Sequence, residues 1–349
     1  MTDPRRPLLS IEHLSIGFPN EQDGAMLPVV RDSSFTVDRN EVVGLVGESG
    51  SGKTQTAMSV LRLTKPPGRV LNGRILLDGD DILQMNDNQL RQVRGRRAAM
   101  IFQSPRTSLN PLMTAGKQVG RIYERHQRMS GKAADEAALE MLRRVGIAGP
   151  ARVAASYPHQ LSGGMAQRVM IAMMLACGPE LLIADEPTTG LDVTIQAQIF
   201  ELIQEIQQET QMALLLITHD LGVIAEVCQR VVVMQLGRIV EIAPVKTLFD
   251  DPVHPYTRRL IGSILRPDLD VLPPSGRGVD YPPVPLNTGG MAYQAVSVDA
   301  WRSAKVGRPE MLEVAPGHLV LAHEVGRSDD SVENPAESGV ERTAEEAVA

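Results

Sequence analysis

The sequence predicts an α/β fold with a mainly parallel core sheet, N-terminal antiparallel strands, an inserted helical subdomain and a small C-terminal extension. Short apolar runs alternate along the chain with stretches of helical periodicity, which is the order of elements in parallel α/β folds. One run, Glu180–Ala184, is apolar from Leu181 onwards, as strands are when both faces of a parallel sheet are covered. Hydrophobic residues make up 43% of the 349 residues, which is enough for a sizeable core.

The individual elements follow from local patterns. Leu8–Phe18 alternates apolar and polar residues, as a half-buried strand does, and Glu41–Val46 is an apolar run that ends in a glycine-rich loop. Helical spacing begins at Pro105 and is clearest over Ala133–Val145. The remaining predictions are strands over Ser34–Val37, Gly73–Leu77, Ala98–Phe102, Ala213–Thr218 and Arg230–Gln235, and helices over Gly163–Ala176 and Val193–Glu209.

Composition divides the chain into three parts. Residues 1–265 contain the alternating elements and are predicted to form one catalytic domain, in which residues 104–165 are the helical subdomain. Prolines are concentrated between Arg266 and Pro285 and cannot occupy helix interiors or central strands, so residues 266–326 are predicted to be a proline-rich linker and C-terminal extension. Residues 327–349 are strongly acidic and contain no aromatic residue, which predicts a disordered tail.

Charge and composition exclude several function classes. The formal net charge is −7, and most of it lies in the acidic tail. An acidic chain with 3% aromatic residues argues, although weakly, against non-specific nucleic-acid binding. No apolar run approaches the roughly 18–20 residues of a membrane span, and the first residues lack a signal-peptide core. Two cysteines are too few for a disulfide framework and predict a reducing cytoplasm.

A phosphate-binding loop is predicted at Gly47–Thr54, which matches GxxxxGK[ST] between an apolar run and a helical stretch. Glycines let backbone N–H groups surround phosphate oxygens, and the helix start adds the positive end of its dipole. Lys53 can reach the β- and γ-phosphates, and the Thr54 hydroxyl can bind Mg²⁺. A chance glycine turn would not explain this context. The predicted ATP-binding residues are Gly47, Glu48, Ser49, Gly50, Ser51, Gly52, Lys53 and Thr54.

Two acidic residues end the later apolar strand. Asp185 would lie beside the phosphate loop, where its carboxylate can hold Mg²⁺ through water. Glu186 would then be placed to take a proton from an attacking water. The alternative is an acidic helix cap on a solvated loop, which becomes less favoured when a phosphate loop is present.

The segment Leu161–Gln167 lies between these two motifs, and its LSGG sequence resembles the signature of ABC-type ATPases. A helix beginning at Ser162 can present its hydroxyl and N-terminal N–H groups to a γ-phosphate, and the two glycines permit close approach. The alternative is an ordinary serine-capped helix. The resemblance implies contact with ATP held by a second subunit through Leu161, Ser162, Gly163, Gly164 and Gln167.

The same resemblance implies further site residues. Gln103 is similar to the glutamine that senses Mg²⁺ and water and couples to the membrane partner. His219 is similar to the histidine at the γ-phosphate, with a structural role as the alternative. Asp192 ends a loop that resembles the one crossing the dimer interface, and Phe18 matches an adenine-stacking position but fits the core equally well. The implied catalytic residues are Glu186, His219 and Gln103, and the implied Mg²⁺ ligands are Thr54, Gln103 and Asp185.

One signature and one phosphate loop supply only half of each composite site of this family. The resemblance therefore implies two ATP molecules between this chain and a second ABC ATPase subunit, either identical or related. It also implies two membrane permease subunits, an extracytoplasmic solute-binding protein that acts indirectly, no nucleic acid, and a peripheral position on the cytoplasmic face of the inner membrane.

Longer stretches of residues 8–265 resemble the dipeptide/oligopeptide/nickel permease branch of the family. They are Phe102–Pro111, Tyr157–Leu161, Asp192–Gln198 and His254–Thr257. The branch implies that the insert Pro105–Gln160 grips a coupling helix of the membrane subunit. Some members hold an iron–sulfur cluster in a cysteine-rich segment beyond Pro285. Asn287–His323 contains no cysteine, so no iron–sulfur cluster is expected.

The expected function is therefore the ATP-hydrolysing subunit of a peptide importer. Nickel, glutathione and opine-like solutes remain alternative cargoes. A soluble ABC-type ATPase of DNA repair or translation is the alternative from another class, although such proteins usually carry a coiled-coil insertion or two fused cassettes. An exporter is a further alternative, less favoured because no membrane domain is fused.

Other conspicuous residues are predicted to be structural. Cys177 and Cys228 are expected to be small buried packing residues. Three methionines, Met170, Met173 and Met174, are expected to pack the helix behind the signature. A group of four arginines is predicted to form a solvated helix face, because no wide basic field surrounds it: Arg91, Arg94, Arg96 and Arg97.

Overall fold

A computed structural model describes residues 6–20, 22–262, 284–288, 291–296, 298 and 309–324. Most of the predicted proline-rich linker, Trp301 of the extension and the acidic tail 327–349 lie outside the described residues.

The described residues form two sheets and a set of mostly short helices. The strands are β1 (Leu9–Pro19), β2 (Met26–Val37), β3 (Val42–Val46), β4 (Arg69–Leu77), β5 (Asp80–Asp81), β6 (Ala98–Ile101), β7 (Leu181–Asp185), β8 (Ala213–Ile217), β9 (Arg230–Gln235), β10 (Arg238–Pro244), β11 (Val284–Thr288), β12 (Met291–Ala295), β13 (Glu310–Ala315) and β14 (His318–Glu324). The helices are α1 (Lys53–Val60), α2 (Asp87–Val93), α3 (Pro105–Ser108), α4 (Ala115–Gln127), α5 (Gly131–Arg144), α6 (Pro150–Ala155), α7 (Gly163–Leu175), α8 (Val193–Thr210), α9 (Leu221–Val227), α10 (Val245–Asp250) and α11 (Pro255–Gly262).

The smaller sheet is antiparallel and runs in the order β2-β1-β4-β5. The larger sheet runs β11-β12-β14-β10-β9-β3-β8-β7-β6, with β13 paired to β14. Its centre is parallel, because β9, β3, β8, β7 and β6 pair in parallel in that order. The α/β class, the parallel core and the N-terminal antiparallel strands are confirmed. Strands of the extension continue this sheet, since β14 pairs antiparallel with β10.

The two faces of the parallel sheet bury different cores. In β3, Val42 and Val46 pack in a core shared with the helical insert, whereas Val43 and Leu45 pack in a core shared with the smaller sheet. Successive side chains of a strand point to opposite faces, so a strand buried on both faces needs apolar residues throughout. This is the reason that the central strands read as unbroken apolar runs.

Two strands of the smaller sheet are longer than the sequence predicted. The predicted Ser34–Val37 is the end of β2, and Gly73–Leu77 is the end of β4. The pairing of β1 with both strands contains register shifts, and Asp32 and Gly73 adopt φ values of 49° and 104°. Such irregularities break the alternation of side chains, so the apolar pattern begins later in the chain than the strand does.

The structure corrects two structural predictions. Helix α2 ends at Val93, so Arg94 and Arg97 are not on a solvated helix face. Arg94 Nε donates to the Leu61 carbonyl oxygen at 2.8 Å, and Arg97 contacts Asp80 and Glu180 at 2.8 and 3.0 Å. Cys228 is buried as predicted, whereas Cys177 is only partly buried.

The three methionines behind the signature pack as predicted, since Met170 is buried and Met173 and Met174 lie against the same core. Within the described part of the chain, every helix is too short or too polar to cross a membrane.

Candidate active site

Four neighbouring parallel strands end at one edge of the large sheet and place the predicted site residues there. The phosphate loop follows β3, Gln103 follows β6, Asp185 ends β7 and His219 follows β8. Loops after the carboxyl ends of parallel strands meet at the same edge, which is the usual location of binding sites in open α/β sheets. Residues separated by more than 170 positions thereby share one cleft.

Glycines allow the phosphate loop to follow β3 so closely. Gly47 has a φ of 147°, and a Cβ there would lie 2.0 Å from the Met234 carbonyl oxygen. Gly50 and Gly52 also have positive φ values, of 80° and 105°. Ser49 and Gly50 are exposed at the tip, whereas Ser51 is buried and its N–H donates to the Glu48 carbonyl oxygen at 3.1 Å. The loop is therefore a preformed turn that opens α1 at Lys53.

Lys53 is buried inside this turn. Its Nζ donates to the carbonyl oxygens of Gly47 and Glu48, both at 2.8 Å. Burial lowers its pKa, and the neighbouring carboxylates of Glu186, Asp185 and Glu48 act in the opposite direction. The ammonium group is thus held at the loop, where the phosphates of a nucleotide would lie.

Thr54 and Asp185 form a pair of hard oxygen ligands. The Thr54 hydroxyl donates to Asp185 Oδ1 at 3.2 Å, and Asp185 is only 3% exposed. Burial raises the pKa of Asp185, the hydrogen bond from Thr54 lowers it, and the charge of Glu186 raises it again. A hydroxyl and a carboxylate this close together fit Mg²⁺, which prefers oxygen ligands.

Glu186 is the centre of a hydrogen-bonded group. Gln103 Nε2 and the Thr189 hydroxyl each donate to Glu186 Oε2 at 2.8 Å. His219 Nδ1 lies 3.9 Å from the other carboxylate oxygen, and its ring is 75% exposed. The structure thus brings together the three residues predicted to be catalytic. Sequence reasoning did not assign Thr189 a contact, although it stands in the predicted interface loop.

The signature segment begins α7 as predicted. Ser162 is the N-cap, and its hydroxyl accepts from the Met165 N–H at 3.3 Å. A Cβ at Gly164 would lie 2.9 Å from Ile195 of α8, so only glycine fits there without a shift. Leu161 is buried below the helix start. Within the signature, Ser162 is exposed, and Gly163 and Gly164 are partly buried.

Gln167, predicted to contact a second subunit's ATP, is buried in this structure. It is 1% exposed, and its Nε2 has no hydrogen-bond partner. Five residues after Ser162, the helix has turned by about 500°, which places Gln167 away from the Ser162 face. Its predicted contact with a nucleotide held by a second subunit stays a prediction.

Two further predicted site residues, Asp192 and Phe18, lie at the start of α8 and near the end of β1. Asp192 is the N-cap of α8 and accepts from the Ile195 N–H at 3.0 Å. Phe18 lies in β1 with its half-buried ring against Gly68, where a Cβ would come within 2.4 Å of it. The interface role of Asp192 and the adenine-stacking role of Phe18 remain predictions.

Two residues of α11 contact the phosphate loop and were missed. The hydroxyl of Tyr256 accepts from the Glu48 N–H at 2.8 Å, and Arg259 Nη2 donates to Glu48 Oε1 at 2.7 Å. Sequence analysis noted His254–Thr257 as a motif of the branch. No spacing rule could place it on a loop about two hundred residues earlier.

A phosphate loop and an Asp–Glu pair at the same edge of one parallel sheet, together with a serine-capped glycine helix, define an ATP-hydrolysing cassette. Comparison with family models agrees. The model described as ABC transporter matches residues 30–189, and the one described as oligopeptide/dipeptide transporter, C-terminal region, matches residues 240–275.

Comparison with individual proteins gives the family. The chain is 51% identical over 258 residues to a probable peptide ABC transporter ATP-binding protein, y4tR, of Sinorhizobium fredii, covering 74% of this chain and 76% of the relative. It is 40% identical over 335 residues to the oligopeptide transport ATP-binding protein OppD of Bacillus subtilis, covering 94% and 92%. The chain belongs to the ABC transporter family, as one of its ATP-hydrolysing subunits.

Solved structures show the same fold. The ATP-binding cassette MJ0796, solved as a post-hydrolysis dimer bound to ADP and Pi, is similar with a TM-score of 0.60 and 26% identity, covering 68% of this chain and 98% of that one. The cbiO1 protein of Clostridium perfringens, part of the ABC transporter complex cbiONQ, has a TM-score of 0.58 and 27% identity, covering 70% and 91%.

Proposed function

We propose that this chain binds and hydrolyses ATP to power an importer of dipeptides or oligopeptides, from the cytoplasmic face of the cell membrane. The observation that carries the ATPase chemistry is the Glu186 carboxylate, held among Gln103, Thr189 and His219 beside the Lys53 loop. The observation that favours peptides is the similarity to a protein named for oligopeptide transport along nearly the full length of both chains, extension included.

Each residue has a distinct part in the proposed hydrolysis. Lys53 and the N–H groups of the loop bind the β- and γ-phosphates. Thr54, Asp185 and Gln103 would hold Mg²⁺, whose charge neutralises phosphate oxygens. Glu186 takes a proton from the attacking water, and His219 stabilises the transferred phosphoryl group. Positioning and charge dominate phosphoryl transfer, so Lys53 and His219 are expected to matter as much as the base.

The proposed working unit is a dimer. This chain contributes one phosphate loop and one signature, so the exposed Ser162 and N-terminus of α7 act on ATP held by a second ABC ATPase subunit. Asp192, at the start of α8, lies in the loop proposed to cross the interface. The MJ0796 cassette has been solved as a dimer, which supports this arrangement.

The proposed partners in the membrane are two permease subunits. The helical subdomain would grip a coupling helix of one permease, and Gln103 at its beginning touches Glu186 directly. Movement of the subdomain would then change the surroundings of the base, which links closure of the dimer to hydrolysis. A solute-binding protein outside the membrane would deliver the cargo.

Reconstitution tests this function. The chain is co-expressed with candidate permease subunits from the same organism, placed in lipid nanodiscs, and assayed for ATP hydrolysis with a candidate solute-binding protein and a peptide mixture. We expect peptides to stimulate hydrolysis several-fold and to have no effect on the Glu186→Gln complex. Stimulation by nickel or glutathione and not by peptides would identify that solute as the cargo and contradict peptide import. Co-purification with ribosomes or DNA and not with permease subunits would contradict the transport function.

A further inference from the structure

Glu48 of the phosphate loop is hydrogen-bonded to α11, a helix that contains none of the ATP-binding motifs. Its backbone N–H donates to the hydroxyl of Tyr256 at 2.8 Å, and its side chain accepts from Arg259 at 2.7 Å. Its carbonyl oxygen accepts from Lys53 at 2.8 Å. All three functional groups of one loop residue are therefore occupied, two of them by α11.

Tyr256 is buried in the fold, with its hydroxyl at the Glu48 N–H. The side chain is 2% exposed, and burial raises its pKa to about 12, so the hydroxyl stays neutral. The Arg259 guanidinium lies 5.2 Å from the centre of the Tyr256 ring, within the range of a cation–π contact. The two side chains thus support each other on the surface that faces Glu48.

A buried carboxylate anchors the start of α11. Glu241 of β10 is 0% exposed and accepts from the N–H groups of Val253 and His254 at 2.9 and 3.0 Å. The His254 ring in turn accepts from the Tyr256 N–H at 3.2 Å. Burial raises the pKa of Glu241, but hydrogen bonds, led by the one from His318, outweigh burial and hold the pKa below its ordinary value.

The C-terminal extension completes this anchor. His318 Nε2, at the start of β14, lies 2.7 Å from Glu241 Oε1 and is 3% exposed. The extension also accepts a hydrogen bond, because His254 Nε2 lies 3.2 Å from the Val296 carbonyl oxygen. A continuous series of hydrogen bonds, buried except at Glu48, therefore runs from His318 through Glu241, His254 and Tyr256 to Glu48.

We propose that Tyr256 and Arg259 are positioning residues of the ATP site, and that the extension sets ATP affinity through His318 and Glu241. The loop binds phosphates with its backbone N–H groups, so its affinity depends on the turn being formed before the nucleotide arrives. Tyr256 and Arg259 hold the first part of that turn. The extension fixes the helix that carries them.

Tyr256→Phe tests the hydroxyl alone, because the ring and its packing remain. With the purified full chain and a fluorescent ATP analogue, we expect the Kd to rise about three- to tenfold, the range of one lost hydrogen bond. The kcat at saturating ATP should change less than twofold. Tyr123→Phe is the control, since Tyr123 is also buried but lies in α4 of the insert. An unchanged or tighter Kd for Tyr256→Phe would overturn the proposal.

The extension is tested at His318. His318→Leu removes the donor to Glu241, and we expect the Kd for ATP to rise at least threefold at a temperature where the variant is folded. His318→Gln restores a donor and should recover most of the affinity.

Combining His318→Leu with Tyr256→Phe should raise the Kd by less than the product of the two single effects, because both act on one series of contacts. A lower melting temperature with unchanged ATP affinity would assign His318 a purely structural role and contradict the coupling. These measurements need no cargo, so they are independent of the proposed transport substrate.

Discussion

Glu186 combines an unusual backbone conformation with a fully used side chain. Its φ is 47°, in the left-handed region that residues other than glycine rarely adopt. The Glu186 N–H donates to the Ile217 carbonyl oxygen at 2.8 Å, which fixes the residue against the neighbouring strand. Local strain of this kind persists when surrounding contacts determine it, and it is common at active sites. Here it aims the carboxylate at Gln103 and Thr189.

Removing the basicity of Glu186 should separate binding from hydrolysis. In Glu186→Gln the amide keeps the shape and still accepts from Gln103, but it cannot take a proton. We expect ATP hydrolysis to fall by on the order of 10²-fold or more with ATP affinity unchanged, and the ATP-bound dimer to accumulate. Phosphate release and gel filtration measure the two effects. Glu201→Gln, on the exposed face of α8, is the matched control. Near-normal turnover of Glu186→Gln would exclude its role as the base.

The two cysteines should differ in reactivity. Cys228 is 5% exposed, and burial raises its pKa to about 12, whereas Cys177 is only partly buried. Thiolate is the reactive form, so at pH 8 we expect iodoacetamide to label Cys177 well before Cys228 in the folded protein. Mass spectrometry of timed samples measures the two rates, and labelling in urea should make them similar. Faster labelling of Cys228 in the native chain would show that its side of the sheet opens readily.

At the scale of elements, buried polar groups fix the position of α11 against β10. The β10 strand was missed by sequence analysis, although it is buried, because a two-residue turn joins it to β9. Leu236 and Gly237 in that turn have φ values of 47° and 86°, the conformation of a tight hairpin. Helix α11 comes after α10 in the chain, and the two residues just before it are hydrogen-bonded to Glu241 of β10. The polar groups therefore specify how these two apolar elements meet.

Protonation of His254 should destabilise this part of the fold. Burial lowers the pKa of His254 to about 4 from an ordinary value of 6.5, with Glu241 and His323 facing it. Between those two pH values the unfolded chain binds a proton that the folded chain does not, so stability falls as the pH falls from 6.5 to 4. The loss is on the order of 3 kcal/mol.

Urea unfolding at several pH values measures this loss. His254→Asn keeps an acceptor for the Tyr256 N–H without the titrating ring, and should flatten the dependence between pH 6.5 and 4.5. Below that range Glu241 still contributes in the same direction, because its pKa is also lowered in the folded chain. If the free energy of unfolding depends on pH equally in the two proteins, His254 is not the group responsible.

At the scale of the molecule, the cassette and the C-terminal extension share one sheet. The pairing of β14 with β10 covers what would otherwise be a strand edge, and His318 supplies a partner to the buried Glu241 carboxylate. A buried charge that loses its partner is strongly destabilising. The extension is therefore expected to be part of the stability of the cassette.

Truncation tests that dependence. A chain that ends at Gly262 loses β11 to β14, and we expect its free energy of unfolding to fall by about 3 kcal/mol or more. A chain that ends at residue 326 keeps every described strand and is the control. Thermal melting and urea titration measure the free energy of unfolding of both proteins. Equal stability of the two would show that the cassette folds independently of the extension.

Sequence by itself determined the local chemistry of this protein. The phosphate loop, the Asp185–Glu186 pair and the Ser162 helix start are each contiguous, so their spacing identifies them before any fold is known. Apolar runs also predicted the parallel core, since strands covered on both faces leave a clear pattern. A contiguous motif does not by itself give burial, because the turn of α7 buries Gln167 five residues after the exposed Ser162.

Only the tertiary structure decided which distant residues meet. Gln103 reaches Glu186 across 83 positions because β6 and β7 are neighbours in the sheet. His318 reaches Glu241 across 77 positions because β10 and β14 pair. Tyr256 reaches Glu48 across 208 positions, between α11 and the loop after β3. Such contacts leave no period or spacing in the sequence. They arise from the order of strands in the sheet, which is fixed by burial of the whole core and not by any local run of residues.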